Sequence, residues 1–129
     1  METVAYLDTH VLVWLYDGQT DLFPPTARRI LNSHRLLVSP MVTLELEYLR
    51  EIGRITEGPT AVLPELHSRL GLVICDRDYT KIAQSAWAQN WTRDPFDRLI
   101  VAQAALGQNL LVTKDATILA NYPNAIWSD

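Results

Sequence analysis

The fold of this chain is decided by the stretch Asp94-Pro95-Phe96-Asp97-Arg98, which leads directly into the apolar residues Leu-Ile-Val-Ala-Gln-Ala-Ala-Leu at 99–106. Aspartate is a favoured N-cap and proline is favoured at the first helical position, so the stretch predicts a helix that begins after Asp94. Asp97 lies in the first turn, where the helix dipole favours a negative charge. At about 100° per residue, Asp97 also shares a face with Ile100, Val101 and Ala104. A carboxylate on a face that packs into the core needs a partner.

Length and composition indicate a single domain that spans residues 1–129. Nearly half of the residues are hydrophobic (48%), which is enough for a continuous core. The net charge of -4 argues against binding nucleic acid by electrostatics alone, so an anionic substrate would require a cation. The sequence has one cysteine, no leader peptide pattern and no apolar run of about 20 residues. We therefore expect a soluble, cytoplasmic protein that is not associated with a membrane.

Short apolar runs alternate along the chain with segments of helical spacing. The predicted strands lie at residues 4–7, 36–38, 72–75, 110–112 and 125–127. The predicted helices lie at residues 10–16, 26–33, 41–52, 60–70, 79–89, 95–106 and 116–120, and Trp87 is on the apolar face of the fifth. Strands that are short and almost wholly apolar favour a parallel sheet covered on both faces, which is a three-layer α/β/α sandwich.

Two aspartates directly follow predicted strands. Asp8 comes after residues 4–7, and Asp115 comes shortly after residues 110–112. Each is a candidate N-cap for the helix that follows it. Polar groups that serve a ligand gather beyond the carboxyl ends of parallel strands, so each is also a candidate site residue.

Glu45 stands out on the predicted helix 41–52. A step of about 100° per residue places five apolar residues close to its direction, namely Met41, Val42, Tyr48, Leu49 and Ile52. Glu47 points away, with the polar residues. Glu45 is therefore predicted at the centre of the apolar face. A buried carboxylate stays neutral, pairs with a base or binds a cation, and a salt bridge to Arg98 is the structural alternative.

A site built from acids on distant segments would offer only hard oxygen ligands. Such ligands suit Mg²⁺ or Mn²⁺, and no cluster of Cys and His residues suggests zinc. We expect the three histidines, which include His10, to have surface or core roles. A divalent cation would relieve the repulsion among the acids, activate water and stabilise charge on a phosphoryl oxygen. The candidate ligands are Asp8, Glu45, Asp97 and Asp115.

On these residues the chain resembles the PIN domain, and most closely the VapC-type toxins of bacterial toxin–antitoxin pairs. The similarity is carried by residues 6–14 around Asp8, 39–46 around Glu45, 94–98 with 102–104 around Asp97, and 111–115 around Asp115. The central residues 56–90 carry no residues typical of the family. Many relatives also have a histidine shortly before the Asp-Pro-Phe-Asp-Arg run, where this chain has Asn-Trp-Thr-Arg at 90–93. Both regions are candidates for RNA selection.

The resemblance implies an endoribonuclease that depends on Mg²⁺ or Mn²⁺, cleaves RNA, is inhibited by a cognate antitoxin protein and forms a homodimer. It assigns the four acids to metal binding and catalysis. Further residues would support these ligands or contact phosphate: Thr9, Arg93, Asp94, Arg98, Thr113 and Lys114.

Two readings of a different kind remain open. One is a signalling module in which an aspartate at a strand end accepts phosphate, although Asp8 has no paired acid beside it. The other is a protein-binding domain that presents Trp14, Trp91 or Trp127, although tryptophans are more often core or edge residues.

Overall fold

A computed structural model describes residues 3–128 and contains a five-stranded, all-parallel sheet. The strands are β1 (Val4–Leu7), β2 (Arg35–Val38), β3 (Val73–Ile74), β4 (Leu110–Val112) and β5 (Ala125–Ile126). Their order across the sheet is β3-β2-β1-β4-β5, with Tyr6 of β1 in register with Leu37 of β2 and Leu111 of β4. The predicted parallel sheet is confirmed.

Seven α-helices connect the strands within residues 3–128. They are α1 (Thr9–Tyr16), α2 (Pro25–Ser33), α3 (Pro40–Glu51), α4 (Pro59–Leu70), α5 (Tyr79–Trp87), α6 (Pro95–Ala105) and α7 (Ala116–Asn121). From β1 the chain winds outward to β3, and it then returns to β4 and β5 on the other side of β1. Because such connections are right-handed, the helices of the two halves cover opposite faces, which gives the predicted three-layer α/β/α sandwich. No helix in the described part of the chain is both long and apolar enough to cross a membrane.

The core lies between the sheet and the apolar faces of the helices. The central strand β1 contributes Ala5, Tyr6 and Leu7, which are almost fully buried, and Leu111 and Val112 of β4 lie beside them. Helix α6 contributes Ile100, Val101 and Ala104, as the sequence predicts. On its other side α6 packs Ala102 and Leu99 against Ile82 and Ala86 of α5. Helix α6 therefore lies between the sheet and α5.

Two sequence expectations about helix faces are wrong. On α3, Val42 and Leu46 are buried, whereas Tyr48 and Ile52 are 46% and 49% exposed. The buried direction is thus rotated by about 70° from Glu45, which lies at the boundary of the apolar face rather than at its centre. On α5, Trp87 is 71% exposed, although its spacing predicts burial. A helical wheel identifies apolar residues but not which of them the neighbouring elements cover.

Helix α6 begins as the sequence predicts. The Asp94 carboxylate accepts hydrogen bonds from the backbone N–H groups of Phe96 and Asp97, at 2.8 and 3.2 Å. Pro95 occupies the first helical position, where its missing N–H costs nothing. Asp94 therefore fixes both the start of the helix and the direction of Asp97.

Two variants separate the stability that Asp94 contributes as an N-cap from the effect of its negative charge. Asp94→Asn and Asp94→Ala both remove the charge, but only asparagine can still accept the two N–H hydrogen bonds. We expect the free energy of unfolding to be about 1 kcal/mol lower for Asp94→Ala than for Asp94→Asn in urea titrations. Equal stability of the two variants would mean that the cap does not stabilise α6.

Candidate active site

The candidate site lies at the carboxyl edge of the sheet, beyond β1 and β4. These two strands are neighbours, and the connections that leave them run to opposite sides of the sheet. Parallel sheets bind ligands at such a reversal, because the diverging connections leave a crevice there. Asp8 directly follows β1, and Asp115 lies three residues after the end of β4. The topology therefore brings together two of the four predicted acids.

Asp8 is buried and held by hydrogen bonds at both carboxylate oxygens. The Thr9 N–H donates to Oδ1 at 2.8 Å, and the Thr113 hydroxyl donates to Oδ2 at 2.8 Å. The Asp8 N–H in turn donates to the Val112 carbonyl at 3.1 Å, which joins the ends of the two strands. Asp8 is thus the N-cap of α1 and also a carboxylate held in a fixed position. The two roles that the sequence suggests for it, helix cap and site residue, are therefore compatible.

Asp115 also caps a helix. Its Oδ1 accepts hydrogen bonds from the N–H groups of Thr117 and Ile118, at 2.9 and 3.0 Å. Its own N–H donates to the hydroxyl oxygen of Thr113, at 3.0 Å. The fully buried Thr113 therefore contacts both Asp8 and Asp115 and fixes their relative position.

Glu45 reaches the same crevice from α3. The Thr9 hydroxyl donates a hydrogen bond to its Oε1, which connects α3 to the start of α1. Burial raises the pKa of Glu45, the Thr9 hydrogen bond partly opposes this, and the negative charges of Asp8, Asp94 and Asp115 raise the pKa further. Glu47, by contrast, forms a salt bridge with Arg50 at 2.6 Å on the outer surface.

Asp97 completes the group. It is half-buried in the first turn of α6. Burial raises its pKa to about 7, and the charges of Asp8, Asp94, Asp115 and Glu45 contribute in the same direction. The charges of the neighbouring acids therefore lie close enough to disfavour the ionised forms of Glu45 and Asp97. Within residues 3–128 none of the four predicted acids forms an ion pair with a lysine or an arginine.

The predicted cations are distributed unevenly around this group. The Arg98 guanidinium donates to the carbonyls of Ala86 and Trp87, at 3.1 and 3.5 Å, and so caps α5. The salt bridge between Arg98 and Glu45, the structural alternative to a cation site, is not formed among the described residues. Arg93 is exposed and donates to the Asn90 carbonyl at 2.8 Å. Lys114 is exposed beside Asp115, with its Nζ 5.8 Å from the centre of the Trp14 ring.

His10 belongs to the site, contrary to the expectation from sequence. Its Nε2 accepts a hydrogen bond from the Lys114 N–H at 2.9 Å, and its Nδ1 lies 3.8 Å from Asp8 Oδ2. Burial lowers the pKa of His10, whereas the charges of Asp8 and Asp115 oppose the shift. A neutral ring accepts the Lys114 N–H and so holds the loop after β4 against α1. Only its position two residues after Asp8 signals this role in the sequence.

The donor set fits a hydrated magnesium or manganese ion. In the described part of the chain no group of three or more His, Cys, Asp or Glu side chains could hold a metal by itself. Mg²⁺, however, usually keeps several waters and binds one or two carboxylates. Asp8, Glu45, Asp97 and Asp115 offer only oxygen ligands, and their mutual repulsion is what a cation would relieve. The residues present therefore fit such an ion, although they do not form a closed cage.

The chain belongs to the PIN domain family, because the family model matches residues 5–123. No curated protein is similar enough in sequence to count as a relative. Solved structures share the fold at low sequence identity. VapBC2 from Rickettsia felis, bound to a promoter DNA fragment, is 21% identical with a TM-score of 0.66, and the match covers 98% of this chain and all of that one.

Two further structures have the same fold. A toxin–antitoxin complex from Klebsiella pneumoniae is 18% identical, covers 95% of both chains and has a TM-score of 0.62. VapBC-1 from nontypeable Haemophilus influenzae is 16% identical, covers 98% of both chains and has a TM-score of 0.63. At these identities the similarity establishes the fold, and the PIN domain assignment rests on the family model.

The raised pKa of Asp97 makes the stability of the metal-free protein depend on pH. The pKa is about 7 in the folded state against an ordinary value of 3.8, so the folded state binds more protons between these values. Stability contributed by this group is complete below about pH 4 and is lost as the pH rises through about 7. With a chelator present to remove metal ions, we expect Asp97→Asn to raise the free energy of unfolding by about 2–4 kcal/mol at about pH 8. At about pH 4 we expect almost no change.

Urea titrations at the two pH values measure this difference. Asp21→Asn, at an exposed position in the short 3₁₀ helix Thr20–Leu22, is the matched control and should show no comparable pH-dependent gain. A gain for Asp97→Asn that is the same at both pH values would show that charge repulsion is not its cause.

Proposed function

We propose that this chain is a metal-dependent endoribonuclease of the VapC type, the toxin of a toxin–antitoxin pair. The observation that carries the proposal is the meeting of Asp8, Glu45, Asp97 and Asp115 at the strand-order reversal, with no lysine or arginine of the described chain paired to them. Membership of the PIN domain family supports a nuclease, and the similar structures, which are described as VapBC or toxin–antitoxin complexes, support the toxin class.

The four acids would hold Mg²⁺ or Mn²⁺. When bound, the cation lowers the pKa of water and stabilises negative charge on a phosphoryl oxygen. The protein itself positions the ligands. Thr113 orients Asp8 and Asp115, Thr9 orients Glu45, and the Asp94 cap directs Asp97. Rigid placement of this kind is what metal-assisted hydrolysis requires of a site.

The substrate would be RNA, bound along the rim of the acid cluster. Lys114 and Arg93 are exposed cations that adjoin Asp115 and Asp94 in sequence and would contact phosphates, whereas Arg98 supports the start of α6 through α5. A cation in the site and lysine or arginine at its edge allow an acidic protein to approach a polyanion.

We further propose that a cognate antitoxin inhibits the chain and that the toxin is a homodimer in the cytoplasm. The similar structures include complexes described as toxin–antitoxin pairs, which supports the antitoxin partner. The phosphoacceptor alternative is less well supported, because both carboxylate oxygens of Asp8 already accept hydrogen bonds. The phosphoacceptor alternative also gives no role to Glu45 and Asp97, which reach the same crevice.

Expression of the wild type and of Asp97→Asn, followed by sequencing of cellular RNA ends, tests the activity. We expect new RNA ends with the wild type and a loss of at least about 100-fold with Asp97→Asn, because the variant removes a charged ligand while keeping the cap and the fold. If Asp97→Asn produces the same ends at the wild-type rate, the assignment of Asp97 is wrong.

Glu45 and Glu47 provide a matched pair on one helix. We expect Glu45→Gln to be inactive and Glu47→Gln to be active, because only Glu45 reaches the acid cluster. Thermal melts add a readout that is independent of activity. A saturating metal should stabilise the wild type and Glu47→Gln, by about 2.7 kcal/mol at a hundredfold excess over its dissociation constant, and should stabilise Glu45→Gln less. Equal behaviour of the two variants in both assays would exclude Glu45 from the site.

A further inference from the structure

Trp87 is the most exposed large hydrophobic residue among residues 3–128, with 71% of its surface accessible. It is the last residue of α5, and none of the ring contacts within the described chain involves it. Trp14 and Trp127, by comparison, pack together with Phe23, their ring centres 5.8 Å apart. An exposed indole does not contribute the stability that burial of its apolar surface would give, and its face is available to a ligand.

The position of Trp87 relates it to the candidate active site. Helices α5 and α6 run antiparallel, since Arg98 near the start of α6 contacts Ala86 and Trp87 at the end of α5, and Ser85 contacts Ala102 farther along α6. The end of α5 therefore lies at the same end of the helix pair as Asp97. The side chain of Arg98, the residue that follows Asp97, reaches the Trp87 carbonyl at 3.5 Å.

The Trp87 backbone is also held in place. Arg98 donates through Nε and through a terminal nitrogen to the Ala86 carbonyl, at 3.3 and 3.1 Å, and also to the Trp87 carbonyl. These bonds connect the end of α5 to the helix that carries Asp97. The indole is thus an exposed aromatic surface on a fixed backbone, with the exposed cation Arg93 between it and the Asp94 cap in sequence.

We propose that Trp87 is a stacking platform for an unpaired base of the RNA strand near the cleaved phosphate. Aromatic rings that bind single strands combine base stacking with nearby cations that contact the backbone, and every base has a face that can stack. Bases in a duplex are already stacked, so the platform selects single-stranded segments such as loops. This inference rests on the proposed function for its substrate class, but it concerns a surface outside the acid cluster.

RNA binding tests the platform without requiring cleavage. The probe is a fluorescently labelled, mixed-sequence single-stranded RNA of about twelve nucleotides, long enough to span a typical single-strand site. Binding is measured in Mg²⁺ buffer with the full chain carrying Asp97→Asn, with and without Trp87→Ala. Stacking contributes about 1–3 kcal/mol per base, so we expect Trp87→Ala to weaken binding about 5- to 150-fold. The same RNA annealed into a duplex should be bound weakly and equally by both proteins.

Three comparisons separate stacking from other roles of an exposed tryptophan. Trp87→Phe should retain most of the affinity, whereas Trp87→Leu, which is apolar but cannot stack, should lose as much as Trp87→Ala. The salt dependence of binding should stay unchanged in Trp87→Ala, because stacking releases no counterions. Tyr79→Ala is the matched control, since Tyr79 is 61% exposed at the other end of the same helix. It should bind single-stranded RNA like the parent.

Each outcome decides between the hypotheses. Unchanged binding by Trp87→Ala, or full affinity in Trp87→Leu, overturns the platform. A change of oligomeric state in Trp87→Ala, seen by light scattering, also overturns it and assigns Trp87 to a protein interface. If the wild type produces no new RNA ends but Trp87→Ala still loses single-strand binding, the platform stands and the proposed nuclease function fails.

Discussion

The buried hydrogen bond from Thr113 to Asp8 is the contact on which the rest of the site depends. It joins residues 105 positions apart, at the ends of the two central strands where the winding of the sheet reverses. Thr113 also accepts the backbone N–H of Asp115, so one hydroxyl contacts the Asp8 carboxylate and the Asp115 backbone. Because Asp8 is both the N-cap of α1 and the acceptor of this bond, the start of α1 and the end of β4 cannot move independently. Thr9, the first residue of α1, then extends the same network to Glu45 on α3.

This network holds together groups that repel one another. Asp97 and Glu45 have raised pKa values, first because of burial and then because of the neighbouring acids. The packing of α3 and α6 against the sheet keeps these carboxylates near one another at a cost in stability. Functional sites in natural proteins often lower the stability of the folded state, because the arrangement that function requires is not the most stable one. A divalent cation removes the repulsion, and ligand binding would therefore also stabilise the folded state.

The α5–α6 pair shows how a residue outside the acid cluster can still serve the site. Arg98 follows the candidate ligand Asp97 in sequence, but its guanidinium contacts the end of α5 rather than an acid. Arg98 therefore links the backbone at Trp87 to the helix that carries Asp97. The same short segment also includes Arg93 and the Asp94 cap. The exposed Trp87 and the start of the helix that carries Asp97 thus share one connection between α5 and α6.

The sequence by itself determined the alternation of strands and helices and the Asp94 cap, because these follow from local spacing and capping preferences. It also supplied the hypothesis that four acids form a site, because carboxylates at strand ends and on apolar faces need a partner. It also identified the PIN-like fold through segments that together span most of the chain. Only the tertiary structure decided which face of α3 is buried, that Trp87 is exposed, that Arg98 caps α5 and that His10 holds the loop after β4. These four features depend on which helices and strands pack together. Neither periodicity nor residue type specifies which neighbouring element will cover a given helix face, or whether any element will.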